Sequence, residues 1–254
     1  MCDGYASKGR HRVGVFNKLN VEIIILNIPS ILGMDDYNWL LNQVSEEKRG
    51  RVKKLRLLKD AYRTLLGEAL VRAAIVSRLG LDNEHIRFAK NEYGKPSLVS
   101  HGSFHFNVSH SGEWVAVFVS QAPVGIDVEE IKPIDMNIAE SFLSEREYQR
   151  LMSYNHGGRL PHFYELWTLK ESYIKCRGEG LSIPLHSFSI MVNEDRSISL
   201  EPESGPYFFK TYELDENHKL AACSEADQFP PNVTRWSFEE LRMMLELDWS
   251  KGII

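Results

Sequence analysis

Residues Trp167–Leu181, WTLKESYIKCRGEGL, decide how the rest of the chain is read. No proline interrupts residues 163–178, Leu166–Lys175 is rich in good helix formers, and Gly178 and Gly180 supply a stop. An amphipathic helix is predicted, with Trp167, Glu171 and Lys175 at i, i+4 and i+8 on one face. A lone Glu-to-Lys pair at this spacing is ordinarily a solvent-side stabiliser worth about 0.3 kcal/mol. A second acidic run, Gly125-Ile126-Asp127-Val128-Glu129, changes that reading. It reads as a strand, on which Asp127 and Glu129 point to the same side and repel each other unless a cation lies between them. An oxygen-ligand site for a hard cation is the expected resolution.

Working outward, the 254 residues are 43% apolar, enough for one large core or two modest ones. The net charge of −5 lacks the basic footprint of a general nucleic-acid binder, so any phosphate recognition has to come from local basic clusters. Cys2, Cys176 and Cys223 have neither close spacing nor histidine partners, which excludes a disulfide framework or a zinc motif and fits a reducing cytoplasm. The apolar run after Lys8, Arg10 and Arg12 is broken by polar residues, so neither a signal peptide nor a membrane span is expected.

Residues 1–20 read as a flexible N-terminal extension. Val21–Ile28 is a buried first strand ended by Pro29. Ser45 is a candidate N-cap for a helix that runs into the basic block Lys48, Arg49, Arg51, Lys53, Lys54, Arg56; most of those charges are read as solvated. A second helix, about Lys59–Leu79, closes at Gly80. Residues 91–96, NEYGKP, form a turn, and 104–119 form a hairpin around Ser109-His110-Ser111-Gly112. The adjacent Ser109 and His110 are not read as hydrolytic, because triad members converge in space and no G-x-S-x-G elbow is present. Pro123 marks the boundary between halves. Ser144-Glu-Arg-Glu147 has capping-box form, YNHGGRLP at 154–161 reads as a mobile loop, and strands at 188–192, 197–200 and 207–223 precede a short helix at 238–247. Each half thus has a capped helix, a further helix and a hairpin-like pair. Trp236 and Trp249 are read as packing residues.

GIDVE followed by WxxKExxxKxxGxGL resembles the paired pattern of the 4'-phosphopantetheinyl transferases. NEYGKP, FNVSHSG at 106–112 and KDAYRTLLG at 59–67 are similar to the larger, surfactin-type branch, and the resemblance runs from about Val21 onward. It implies an α/β (α+β) fold of two similar lobes, each a small mostly antiparallel sheet packed with helices, related by a pseudo-two-fold with the active site between them. Residues 21–123 would form the N-terminal lobe and bind the coenzyme A nucleotide. Residues 124–254 would carry the catalytic groups, a Mg2+ site and a carrier-docking face.

The implied activity is transfer of phosphopantetheine from coenzyme A to a carrier-protein serine in nonribosomal peptide, polyketide or fatty-acid synthesis. The alternative is an inactive module that binds coenzyme A and carrier. By the same resemblance Asp127, Glu129 and Glu171 hold the metal, and Lys175 stabilises the leaving phosphate beside Lys170. Lys48 and Arg51 meet the 3'-phosphate, Arg63 and Thr64 a phosphate, Lys95 the adenine nucleotide, and Ser109 and His110 a phosphate. The base is either Glu171, directly or through a bound water, or a water held by Asp127. Carrier docking falls on Ile131–Ser144, with Met136, Ile138 and Phe142 as apolar contacts, and the chain is expected to be a cytoplasmic monomer.

Overall fold

The computed structural model describes residues 21–29 and 32–246. Its element order repeats. β1 (Glu22–Asn27), three helices α1 (Met34–Gln43), α2 (Glu46–Val52) and α3 (Leu58–Leu79), a small hairpin β2 (Phe88–Lys90) with β3 (Pro96–Leu98), and a long hairpin β4 (His105–Ser111) with β5 (Trp114–Ser120) make the first lobe. The second lobe follows the same order. It comprises β6 (Val124–Glu130), α4 (Asn137–Phe142), α5 (Glu145–Ser153), α6 (His156–Arg177), the small hairpin β7 (Ser189–Val192) with β8 (Ile198–Glu201), and the long hairpin β9 (Phe208–Tyr212) with β10 (His218–Ser224). In each lobe the last strand lies between the first and its hairpin partner: β1-β5-β4 and β6-β10-β9, antiparallel throughout. The long helices α3 and α6 each have 22 residues and end at a left-handed glycine, Gly80 and Gly178. The two-lobed α+β architecture is therefore visible in topology, where the sequences of the halves share little.

Strand periodicity sorts the core into layers. Ile24 and Leu26 of β1, with Val115, Val117 and Val119 of β5, face α3. Ile23, Ile25, Ala116 and Phe118 face the other way and meet Ile126, Val128, Leu220 and Ala222 of the second sheet. Ala221 and Cys223 then pack beneath Leu169, Tyr173 and Cys176 of α6. The sequence EIIILN has no alternation because both its faces are buried.

Two expectations change. Residues 156–161 belong to α6 and not to a loop, for Asn155 caps the helix by accepting from Gly158 N at 2.9 Å, and Leu160 and Phe163 pack against Leu151 and Leu166. Pro161 lies inside the helix, where tertiary burial outweighs its lost N–H. Residues 234–246 do not stay with the second lobe. β11 (Thr234–Trp236) pairs in parallel with the free edge of β1, and α7 (Phe238–Glu246) buries Phe238 and Leu241 against the α3 core. An uncovered β1 edge would be open to pairing with other chains, and the C-terminal crossover closes it. Helix α1 was not foreseen in the sequence. The N-terminal extension and Trp249 lie outside the described residues.

Candidate active site

The site is organised by the alternation of β4. Asn107, Ser109 and Ser111 project to one side of the strand and accept the backbone N–H groups of Ile126, Val128 and Glu130 on β6, at 2.9, 3.3 and 3.1 Å. Two strands that do not share a backbone ladder are thus joined by a comb of side chains. The same serines reach the acidic residues of β6: Ser109 Oγ donates to Asp127 Oδ1 at 2.8 Å and Ser111 Oγ to Glu129 Oε2 at 2.7 Å. Lys175 Nζ completes the cluster, donating to Asp127 Oδ1 at 2.5 Å and to Ser109 Oγ at 3.1 Å. Asp127 is 2% exposed, and its second oxygen, Oδ2, is buried without a hydrogen-bond partner.

Helix α6 can lie this close because residue 125 is glycine. A Cβ there would collide with the Ser172 carbonyl oxygen and the Cys176 amide nitrogen and come within 3.0 Å of the Lys175 carbonyl carbon. These are helix backbone atoms that cannot rotate away. Gly125→Ala is expected to displace α6 and cost on the order of 3 kcal/mol, read as a lowered urea midpoint together with loss of activity. Unchanged stability would show that the helix has room to retreat.

The electrostatics of the cluster are unbalanced. Burial raises the pKa of Asp127 despite the ammonium of Lys175 and the donated hydroxyl of Ser109. Burial and then the Asp127 charge raise Glu129, and the same two causes in the same order raise Glu171. Three carboxylates are therefore held in mutual range with one ammonium to offset them.

On the opposite side of β4, Phe106, Val108 and His110 help line a pocket of about 1000 Å³. α2 contributes Lys48 and Arg51, α3 contributes Thr64, and the β2–β3 hairpin contributes Lys90 and Pro96. The carboxylates of β6 and α6 do not line it. Adjacent residues of one strand instead face the two sites, with Ser109 toward Asp127 and His110 toward the pocket. The pKa of His110 is lowered, first by desolvation and then by the charges of Lys175, Arg63 and Lys48. Glu68, 8% exposed, anchors the pocket floor. It accepts from Ser45 N at 2.7 Å, from Ser45 Oγ at 3.0 Å and from Arg72 Nε at 2.8 Å, and lies 4.0 Å from Lys48 Nζ.

Two family models divide the chain between them. The model described as the 4'-phosphopantetheinyl transferase superfamily matches residues 123–223, and that described as 4'-phosphopantetheinyl transferase, N-terminal, matches residues 33–122. Among curated proteins, the 4'-phosphopantetheinyl transferase Sfp of Bacillus subtilis (strain 168) is 42% identical over 212 residues, covering 83% of this chain and 95% of that protein. The chain belongs to the 4'-phosphopantetheinyl transferases. The transferase gsp of Aneurinibacillus migulanus is also 42% identical, over 205 residues covering 80% of this chain and 86% of that one. The similarity is to the Sfp type.

Several residues of this transferase stand elsewhere than its sequence suggested. Lys170 does not face the site. Its ammonium is 1% exposed and donates to both carboxylate oxygens of Glu147, at 2.7 and 2.5 Å, and to Phe188 O at 2.7 Å. It joins α5 to α6, one position along the helix from Glu171 and on another face. Lys170→Met is expected to strand the Glu147 carboxylate and cost about 3–5 kcal/mol, with the coenzyme A KM of the folded fraction unchanged; a KM rise without destabilisation would return Lys170 to the ligand site.

Lys95 is likewise engaged. Its Nζ donates to Val124 O at 3.1 Å and Cys176 O at 2.8 Å, pinning the β2–β3 turn to the end of α6. Arg63 donates to Gly112 O at 2.9 and 2.7 Å and pairs with Asp60, so its guanidinium braces the β4–β5 turn and is not free for a phosphate. Ser109 is committed to Asp127 and Val128, leaving His110 as the member of that pair that faces the pocket. Asn107, Ser111 and Glu68 were not singled out from the sequence. The period-two polar pattern Asn107-x-Ser109-x-Ser111, which puts three polar side chains on one face of a strand, is the signal that would have found Asn107 and Ser111.

Among the described residues no three acidic, histidine or cysteine side chains converge tightly enough to define a metal site by themselves. The donor set nevertheless fits a magnesium ion: hard carboxylate oxygens, raised pKa values that an added cation would relieve, and the unpartnered Asp127 Oδ2.

Proposed function

We propose that the protein transfers the 4'-phosphopantetheinyl group from coenzyme A to a serine hydroxyl of an apo carrier protein, releasing adenosine 3',5'-bisphosphate. The observation that carries the reading is the β4 strand, which sets a large, mainly basic pocket on one face and a carboxylate cluster around the buried Asp127 on the other. Lys48 and Arg51 hold the 3'-phosphate, Thr64 and His110 line the nucleotide path, and the Asn91–Lys95 turn closes it. Asp127, Glu129 and Glu171 would hold Mg2+, which supplies charge neutralisation at the pyrophosphate when bound.

The rest is done by the chain. The serine oxygen forms a bond to the phosphorus nearer the pantetheine, and the bond from that phosphorus to the bridging oxygen breaks. Lys175 stabilises the charge gathering on the leaving bisphosphate. Glu171 makes no hydrogen bond within the described residues, which leaves its carboxylate free to take the serine proton, directly or through a bound water.

The acceptor docks beside Ile131–Ser144. Within that segment Met136 packs inward, Phe142 stacks edge-on against Trp167 at 4.7 Å, and Ile138 is 46% exposed. Ile138→Asp is therefore expected to raise the carrier KM with kcat retained, and no kinetic change would remove this face from docking. No helix among the described residues is long and apolar enough to cross a membrane. The repeated lobes support a monomer, and the reading places its action in the cytoplasm. Intact-protein mass spectrometry of an apo peptidyl carrier, incubated with the protein, coenzyme A and Mg2+, tests the activity. A gain of one phosphopantetheinyl group, lost with chelator, is expected. Bound coenzyme A with no gain on peptidyl or fatty-acid carriers would mark an inactive binding module.

A further inference from the structure

The comb between β4 and β6 repeats one arrangement at two successive positions. At each, a serine of β4 accepts a β6 backbone N–H and donates its own proton to one oxygen of the acidic residue preceding that N–H. Ser109 does this with Val128 N and Asp127 Oδ1, and Ser111 with Glu130 N and Glu129 Oε2. The remaining oxygen of each carboxylate makes no hydrogen bond within the described residues. A hydroxyl has one proton to give, so the acceptor bond from β6 fixes the direction in which that proton is given.

Asp127 is buried and restrained by its surroundings. Glu129 is not. It is longer, half-buried, and repelled by Asp127 and Glu171, so without a donor its carboxylate gains by swinging toward water. We propose that Ser111 is a positioning residue for cation binding: its hydroxyl holds Glu129 turned inward with one oxygen free, so that the first lobe sets the cation affinity of a site whose carboxylates all belong to the second. Ser111 touches neither cation nor substrate in this role. The proposal rests on the reading of Asp127, Glu129 and Glu171 as a divalent-cation site.

The test is Mn2+ binding, followed by the electron paramagnetic resonance of the free ion, to wild type, Ser111→Ala and Ser111→Thr, each saturated with coenzyme A. Ser111→Ala is expected to weaken Mn2+ binding by about tenfold to a hundredfold. Ser111→Thr, which keeps the hydroxyl, is expected to restore it, and the metal-free melting temperatures serve as the control for folding. If Ser111→Ala does not fold, Ser111→Cys carries the same comparison, since a thiol keeps the size and is a weak donor. Equal Mn2+ affinity in wild type and the alanine or cysteine variant overturns the proposal. Failure of the threonine variant to recover affinity also overturns it, because space-filling and not the hydroxyl would then matter. If wild type itself takes up no Mn2+, the cation site is wrong and the inference falls with it.

Discussion

Glu171→Gln is expected to remove transfer almost completely while making the metal-free protein more resistant to heat. Glutamine keeps the shape of the side chain but neither takes a proton nor offers a charged oxygen to a cation. Turnover should fall on the order of 10³-fold or more, as for loss of a positioned base. The stability effect has the opposite sign. Burial and the neighbouring Asp127 raise the pKa of Glu171 in the folded protein. Between its unfolded and folded pKa the native state binds more protons, so stability falls as pH rises through that window. The destabilisation is complete above the folded pKa and absent below the unfolded value of about 4.3. In chelator, the melting temperature of Glu171→Gln should therefore exceed that of wild type at pH ~8, and the difference should shrink toward zero as pH approaches ~4. A variant less stable than wild type at the higher pH would mean that Glu171 is already compensated within the fold.

Lys175→Ala is the second large effect. Its ammonium is the principal charge opposing the upward shift of Asp127, and it shares a hydrogen-bonded cluster with Ser109. Removing it should lower kcat by about 10²–10³-fold through loss of charge stabilisation in the transition state. It should also raise the Asp127 pKa further. Because the cluster acts with Asp127 ionised, the acidic limb of the kcat/KM profile should move to higher pH in the variant, and excess Mg2+ should move it partly back. A profile whose acidic limb stays in place would separate Lys175 from Asp127 in function.

Much of this fold was legible in the sequence where a local rule met no opposition. Ser45 and Ser144 cap helices as their spacing suggests, the second with the full reciprocal box to Glu147. GIDVE is a strand with both acids on one face, and α6 stops at Gly178. What failed depended on partners distant in sequence. Nothing local marks Thr234–Trp236 as a strand, because its place is fixed by the β1 edge more than 200 residues earlier. Pro161 and two glycines argue for a loop until the apolar neighbours of Leu160 and Phe163 are known.

The site was partly legible for the same reason. Asp127, Glu129, Glu171 and Lys175 announce themselves by charge on predictable faces, and Lys48, Arg51, Thr64 and His110 line one pocket. Lys170 and Lys95 carry the same charge as ligand-binding lysines, but a charge says nothing of where its side chain ends. One finds the buried carboxylate of Glu147 and the other finds two carbonyls. Ser109 and His110 are neighbours in sequence and part ways in space because a strand alternates.

Transfer by this protein requires Asp127, Glu129 and Glu171 to act together on one divalent cation. Anomalous scattering from Mn2+ in crystals of the protein with coenzyme A tests this most directly. A single peak is expected among these three carboxylates, next to Asp127 Oδ2 and absent from Glu171→Gln crystals. A peak elsewhere, or density for the Lys175 ammonium alone against Asp127 with coenzyme A fully bound, would contradict it.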